Sequence, residues 1–189
     1  MDFSLQLCIG GQHPGVASSR LTLRLLTHRF LMDIFSVLDS LYRKRLSIDG
    51  RQLNLEVFDP CSQPVEWADG FVVVYNISNR TSFINAENIL QQIRETRIEN
   101  FCLVGNKQDL CHARQIFEQE GRSLAQDNHC LFQEVSAAES YQEIANLFTQ
   151  LIRQVMEHLK YRADRRRYSS SKSMAKLINN MFGKRRKSM

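Results

Sequence analysis

The 189-residue chain has no apolar run approaching the roughly 18 residues that a membrane-spanning helix needs. Its first ten residues contain no basic region followed by an apolar stretch, so no secretory leader is expected and an intracellular, cytoplasmic protein is. Cysteine is sparse. The five thiols (Cys8, Cys61, Cys102, Cys111 and Cys130) are odd in number and irregularly spaced, which argues against a disulfide framework. No internal repeat and no long low-complexity segment interrupts residues 1–160. What remains is ordinary for a folded protein, with 43% hydrophobic and 24% charged residues.

The charge is unevenly placed. Ten Lys and Arg and a single acid lie from Tyr161 onward, so a tail of +9 within a total of +5 leaves −4 for residues 1–160. Basicity therefore belongs to the tail, and the body carries no signature of nucleic-acid binding. Two regions are expected: a folded domain over 1–160 and a basic tail over 161–189.

Hydrophobic patterning in the domain alternates strands with helices. Leu5, Leu7 and Ile9 alternate with polar residues and run into Gly10-Gly11, a strand entering a glycine loop. From Ser19, Leu21, Leu25 and Leu26 take helical spacing behind the caps Ser18 and Ser19. The runs 46–48 and 53–57 flank Asp49-Gly50, which supplies the positive φ angles of a tight hairpin. Unbroken apolar runs at 71–75 and 101–105 are the pattern of strands buried on both faces of a parallel sheet, and 131–135 makes a sixth strand. Helices are predicted over 83–97, 113–127 and 141–160, the last carrying an apolar stripe from Ile144 to Leu159. The class is α/β, with a mostly parallel six-stranded sheet, one antiparallel hairpin and helices on both faces.

The sharpest local signal is Asn106-Lys107-Gln108-Asp109 at the carboxyl end of a buried strand, where open α/β sheets bind ligands. An Asp carboxylate there can accept two bonds from the N1–H and amino group of guanine, an arrangement adenine does not offer. The Asn amide can reach the base edge and tie loops together, while the Lys stem covers the ring. Ser136-Ala137-Ala138 follows the next strand, and its backbone N–H groups can hold the guanine carbonyl.

With this order of elements, the residues resemble the Ras superfamily of small GTPases over nearly all of 3–160. The stretch Leu53 to Cys61, the run from Trp67 to Phe83 and the ending from Ser171 are most similar to its growth-inhibitor-like branch. The resemblance implies a P-loop nucleotide fold, binding of GTP and GDP, Mg2+ as cofactor, slow GTP hydrolysis, and signalling to protein effectors through two switch loops, by a monomer.

Several positions depart from that pattern. The phosphate loop G-x-x-x-x-G-K-[ST] surrounds phosphates with backbone N–H groups and reaches them with its Lys. Six residues separate Gly10 from Ala17, which stands for the second glycine; Ser18 replaces the Lys, and Ser19 is the hydroxyl that would meet Mg2+. A register from Gly10 to Gly15 restores the glycine spacing but neither the Lys nor the hydroxyl. Losing the Lys and a loop donor, at about 1.5 to 3 kcal/mol each, removes roughly a hundredfold to ten-thousandfold in affinity. Val37 stands where a threonine closes the first switch. In the second, Asp59 can support Mg2+ through water, Ser62 replaces the phosphate-sensing glycine, and Gln63 takes the place of the water-orienting catalytic glutamine. Only Pro64 to Ala68 separate Gln63 from Asp69-Gly70, leaving no room for the helix that usually follows. Two readings stay open: a guanine-nucleotide binder with weak or absent hydrolysis, and a pseudo-GTPase acting through its surface.

In the tail, Met174, Leu177, Ile178, Met181 and Phe182 fall at helical spacing among lysines, a short basic amphipathic helix suited to transient contact with an anionic membrane or a partner groove. The ending carries no cysteine box, so no prenyl anchor is expected. Cys111-His112 and His129-Cys130 match no zinc spacing, and His13 reads as an exposed loop residue.

Overall fold

The computed structural model describes residues 3–11, 40–59, 67–96 and 99–183. Gly15, Ala17, Ser18, Ser19, Val37, Ser62 and Gln63 lie outside the described residues, as do His13 and the helix expected after Ser19.

Six strands form one sheet: β1 (Phe3–Gly11), β2 (Ser40–Ile48), β3 (Arg51–Asp59), β4 (Gly70–Asn76), β5 (Phe101–Asn106) and β6 (Leu131–Val135). Their spatial order is β2-β3-β1-β4-β5-β6. Every pairing is parallel except β2 with β3. That hairpin turns on Asp49 and Gly50 at φ 51° and 75°, a conformation that Gly enters freely and Asp tolerates. β2 and β3 are longer than the sequence runs suggest, because ladder pairing continues to Ser40↔Asp59 through polar positions such as Arg43↔Glu56. There the Arg43 Nε donates to Glu56 Oε1 at 2.8 Å.

β4 and β5 are the buried centre. All six residues of β5 and the first six of β4 are buried, as their unbroken apolar runs require. α1 (Arg80–Arg94) buries Phe83, Ala86, Leu90 and Ile93. It starts three residues before the apolar pattern because Asn79 caps it, its side chain accepting from the Ser82 N–H at 3.0 Å. Just before it, Asn76 Oδ1 accepts from the N–H and hydroxyl of Ser78 at 3.0 and 2.9 Å, which shapes the turn leading to the Asn79 cap.

The helix expected over 113–127 is divided. A 3-10 helix covers Gln108–Ala113, and α2 (Glu118–Asp127) begins only after an extended Phe117. The Gln115 and Ile116 N–H groups donate to Ile77 O at 2.8 and 3.0 Å, and that tie keeps 114–117 out of the helix. Arg80, at the start of α1, is ion-paired with Glu120 in the first turn of α2, and Glu120 also accepts from the Phe117 N–H at 2.9 Å.

The last helix, α3 (Tyr141–Gly183), runs through the point at 160 where a break was expected. No proline interrupts it, and its first glycine is Gly183. The chain divides into two compact units, Met1–Ile152 and Arg153–Met189. In the first, Ile144, Leu147, Phe148, Leu151 and Ile152 are buried. The side chains of 166–183, including Met174, Leu177, Ile178, Met181 and Phe182, lie outside the described ones. No helix among the described residues is long and apolar enough to cross a membrane.

Candidate functional site

Because β1, β3, β4, β5 and β6 run parallel, their carboxyl ends share one edge of the sheet. β1 lies between β3 and β4; the chain leaves it toward the β2–β3 side and later crosses back to β4 on the other side, so Gly10 and Gly11 end at the topological switch point, where α/β sheets bind ligands. Asp59 closes β3 on the same edge. Of the two oxygen donors assigned to Mg2+, this carboxylate suits a hard cation; the other, Ser19, lies outside the described residues.

Register brings together the two loops expected to hold the base. Asn106 pairs with Val135, so Ser136 and Ala137 emerge directly beside it. Asn106 is 2% exposed, and its Oδ1 accepts two amides: Lys107 N at 2.7 Å and Ala137 N at 3.2 Å. Its backbone oxygen accepts from Ile77 N at 3.1 Å. Lys107 then takes left-handed angles (φ 67°, ψ 39°), turning the chain sharply off β5 and into the 3-10 helix. That turn carries Asp109 back over β6, where the Ser136 hydroxyl donates to its Oδ1 at 2.6 Å. Ser136 Oγ in turn accepts from the Glu139 N–H at 3.3 Å, tightening the turn into α3. Ala138 is exposed.

Asn106, Lys107, Asp109, Ser136 and Ala137 therefore converge at the ends of two adjacent strands. One expectation is modified: the Ala137 N–H, assigned to a guanine carbonyl, is engaged by Asn106.

Sequence reasoning passed over the support beneath these loops. Arg114, just past the 3-10 helix, forks onto Glu134, with Nη1 donating to Oε1 at 2.8 Å and Nη2 to Oε2 at 2.7 Å. The Glu134 side chain is 3% exposed and that of Arg114 21%. Donating to the Glu134 carboxylate holds the Arg114 guanidinium proton more tightly than usual. Below the pair lies Tyr75, 1% exposed, whose hydroxyl has no hydrogen-bond partner among the described residues. Burial, then the Glu134 charge, pushes its phenol well above the ordinary value. Gly105 is required here, since a Cβ on it would stand 2.9 Å from the Tyr75 hydroxyl and 3.0 Å from Glu134 Cγ. The available signal was Glu134 itself, an acid at the buried end of a strand.

A mostly parallel sheet with two loops joined at its carboxyl edge defines a class, and the comparisons agree with it. The Ras family model matches residues 7–157, and the chain belongs to the Ras family. It is similar to the Ras-related and estrogen-regulated growth inhibitor-like protein of Bos taurus, 47% identical over an alignment of 199 positions, gaps included, that covers 96% of each chain. The Homo sapiens protein of that name is 46% identical, over 89% of this chain and 91% of its own. The Ras-related and estrogen-regulated growth inhibitor of Homo sapiens is 35% identical, over 95% and 96%. Among the described residues no cluster of His, Cys, Asp or Glu could hold a metal.

Proposed function

We propose that this Ras-family protein binds GTP and GDP through Asn106, Lys107, Asp109 and the loop Ser136-Ala137-Ala138, with weak or absent GTP hydrolysis. The observation that carries this reading is the pair of bonds joining the two base loops, Ser136 to Asp109 and Ala137 to Asn106. They hold the Asp109 carboxylate in one orientation before any base arrives, which reduces the ordering that binding requires. Mg2+ would be held by Asp59 and Ser19 and would offset phosphate charge. Weak hydrolysis follows from the sequence of the phosphate loop and switches: Ser18 for the lysine, Val37 for the threonine, Ser62 for the glycine, and the short connection after Gln63. Residues 1–160 form the nucleotide domain, and the basic stretch 161–189 makes weak, salt-sensitive contact with anionic membrane from the cytoplasm.

Titration of the purified chain with fluorescent GDP and GTP in Mg2+ tests the reading. Saturable binding is expected, weakened about a hundredfold or more by Asp109→Asn, which replaces an acceptor carboxylate with an amide that donates toward N1–H. No binding at high micromolar nucleotide, or an unchanged Asp109→Asn variant, would refute it. A pseudo-GTPase is the second reading, favoured by the same four departures. It requires a chain purified without guanine nucleotide and a melting temperature indifferent to GTP.

A further inference from the structure

We propose that Arg114 and Glu134 are a positioning pair for guanine recognition, locking the segment that carries Asp109 to the segment that carries Ser136 and Ala137. The proposal rests on the guanine-binding reading above and adds residues that do not touch the base.

Three ties join the two segments. Two lie in the recognition loops themselves, Ser136 to Asp109 and Ala137 to Asn106, and their groups would meet the nucleotide. The third is the Arg114–Glu134 fork, beneath the loops and removed from the ligand. It joins the residue after the 3-10 helix bearing Asp109 to a residue two before Ser136. Both partners are anchored beyond the fork: Arg114 Nη1 also donates to Ile116 O at 2.9 Å, Ile116 N is held by Ile77 O at 3.0 Å, and Glu134 Cγ packs over Gly105 where a Cβ would stand only 3.0 Å from it. Bidentate guanidinium–carboxylate bonds fix angle as well as distance, which a single ammonium contact does not. A buried ion pair adds little net stability over well-packed apolar residues. What this one supplies, at this place, is geometry.

The test separates geometry from stability. In the full chain, the double variant Arg114→Met/Glu134→Leu fills the same space without charge and is expected to keep its melting temperature within a few degrees. Two readings should change. In nucleotide-free protein, the Ala137 and Lys107 amides should exchange with deuterium about tenfold faster, while Cys102 and Leu103 in β5 stay protected. Fluorescent GDP should dissociate about tenfold faster, the order expected for one weakened charge-assisted contact. Arg114→Lys, which keeps the charge and loses the fork, should fall between wild type and the double variant in both readings, and it carries the test alone if the double variant does not fold.

Unchanged Ala137 exchange and GDP release in a folded variant would overturn the proposal. A uniform rise in exchange that includes β5 would also overturn it, since that marks a merely structural pair. If the wild-type titration shows no GDP uptake, the guanine reading fails and the recognition role with it; the exchange measurement still shows separately whether the pair couples the loops.

Discussion

Gly121 on α2 allows a worked prediction. A methyl group there would collide with the Tyr75 hydroxyl and stand 2.6 Å from Cε2 and 2.8 Å from Cζ of Phe132. In a helix interior, Gly to Ala ordinarily gains about 1 kcal/mol. Overpacking of this kind costs about 1 to 3 kcal/mol, so Gly121→Ala should be destabilising by up to about 2 kcal/mol. Tyr75→Phe deletes the nearest colliding atom and also removes a buried hydroxyl that has no partner among the described residues. On its own it should stabilise by about 1 kcal/mol. In that background Phe132, only half-buried, can yield. The alanine should then approach its ordinary helical gain, giving a coupling of about 1 kcal/mol or more between the two sites. Urea denaturation of the four proteins, at constant m-value, measures the cycle. Additive effects, or a Gly121→Ala variant more stable than wild type with Tyr75 intact, would show that the three side chains are not packed as described.

Asn79→Ala removes the side-chain acceptor for Ser82 N and should lower stability by about 0.5 to 2 kcal/mol, read by the same denaturation. Glu120 is held below its ordinary value of 4.5, first by the hydrogen bond from Arg80 and then by the Phe117 N–H. A depressed folded-state pKa stabilises above the unfolded value and is lost as pH falls through the folded one, so this contribution is present at neutral pH and fades below about 4.5. The stability gap between wild type and Glu120→Gln should therefore narrow between pH 7 and about pH 3.5. A gap that stays constant across that range would exclude the linkage.

The central strands were legible because burial on both faces leaves no alternation to misread: the apolar runs 71–75 and 101–105 lie within β4 and β5. Asp49-Gly50 was legible because few residue pairs accept two positive φ angles. The 3-10 helix was not, since nothing in 113–117 breaks a helix locally; bonds to Ile77, far off in sequence, decide it. The site divides in the same way. Asn106 and Asp109 are readable from residue type and place, whereas the use of Ala137 by Asn106 depends on strand register, and the Arg114–Glu134 fork depends on a segment doubling back over 20 residues.

Lys107 occupies a backbone conformation that costs a side-chain-bearing residue about 1 to 2 kcal/mol and that glycine enters freely. Its bond to Asn106 Oδ1 needs only the amide, which glycine would supply equally well. Fold stability alone therefore favours glycine at 107. A four-carbon amine in that place runs against the local backbone preference, a conflict that the role proposed for the Lys107 side chain over the guanine ring would explain.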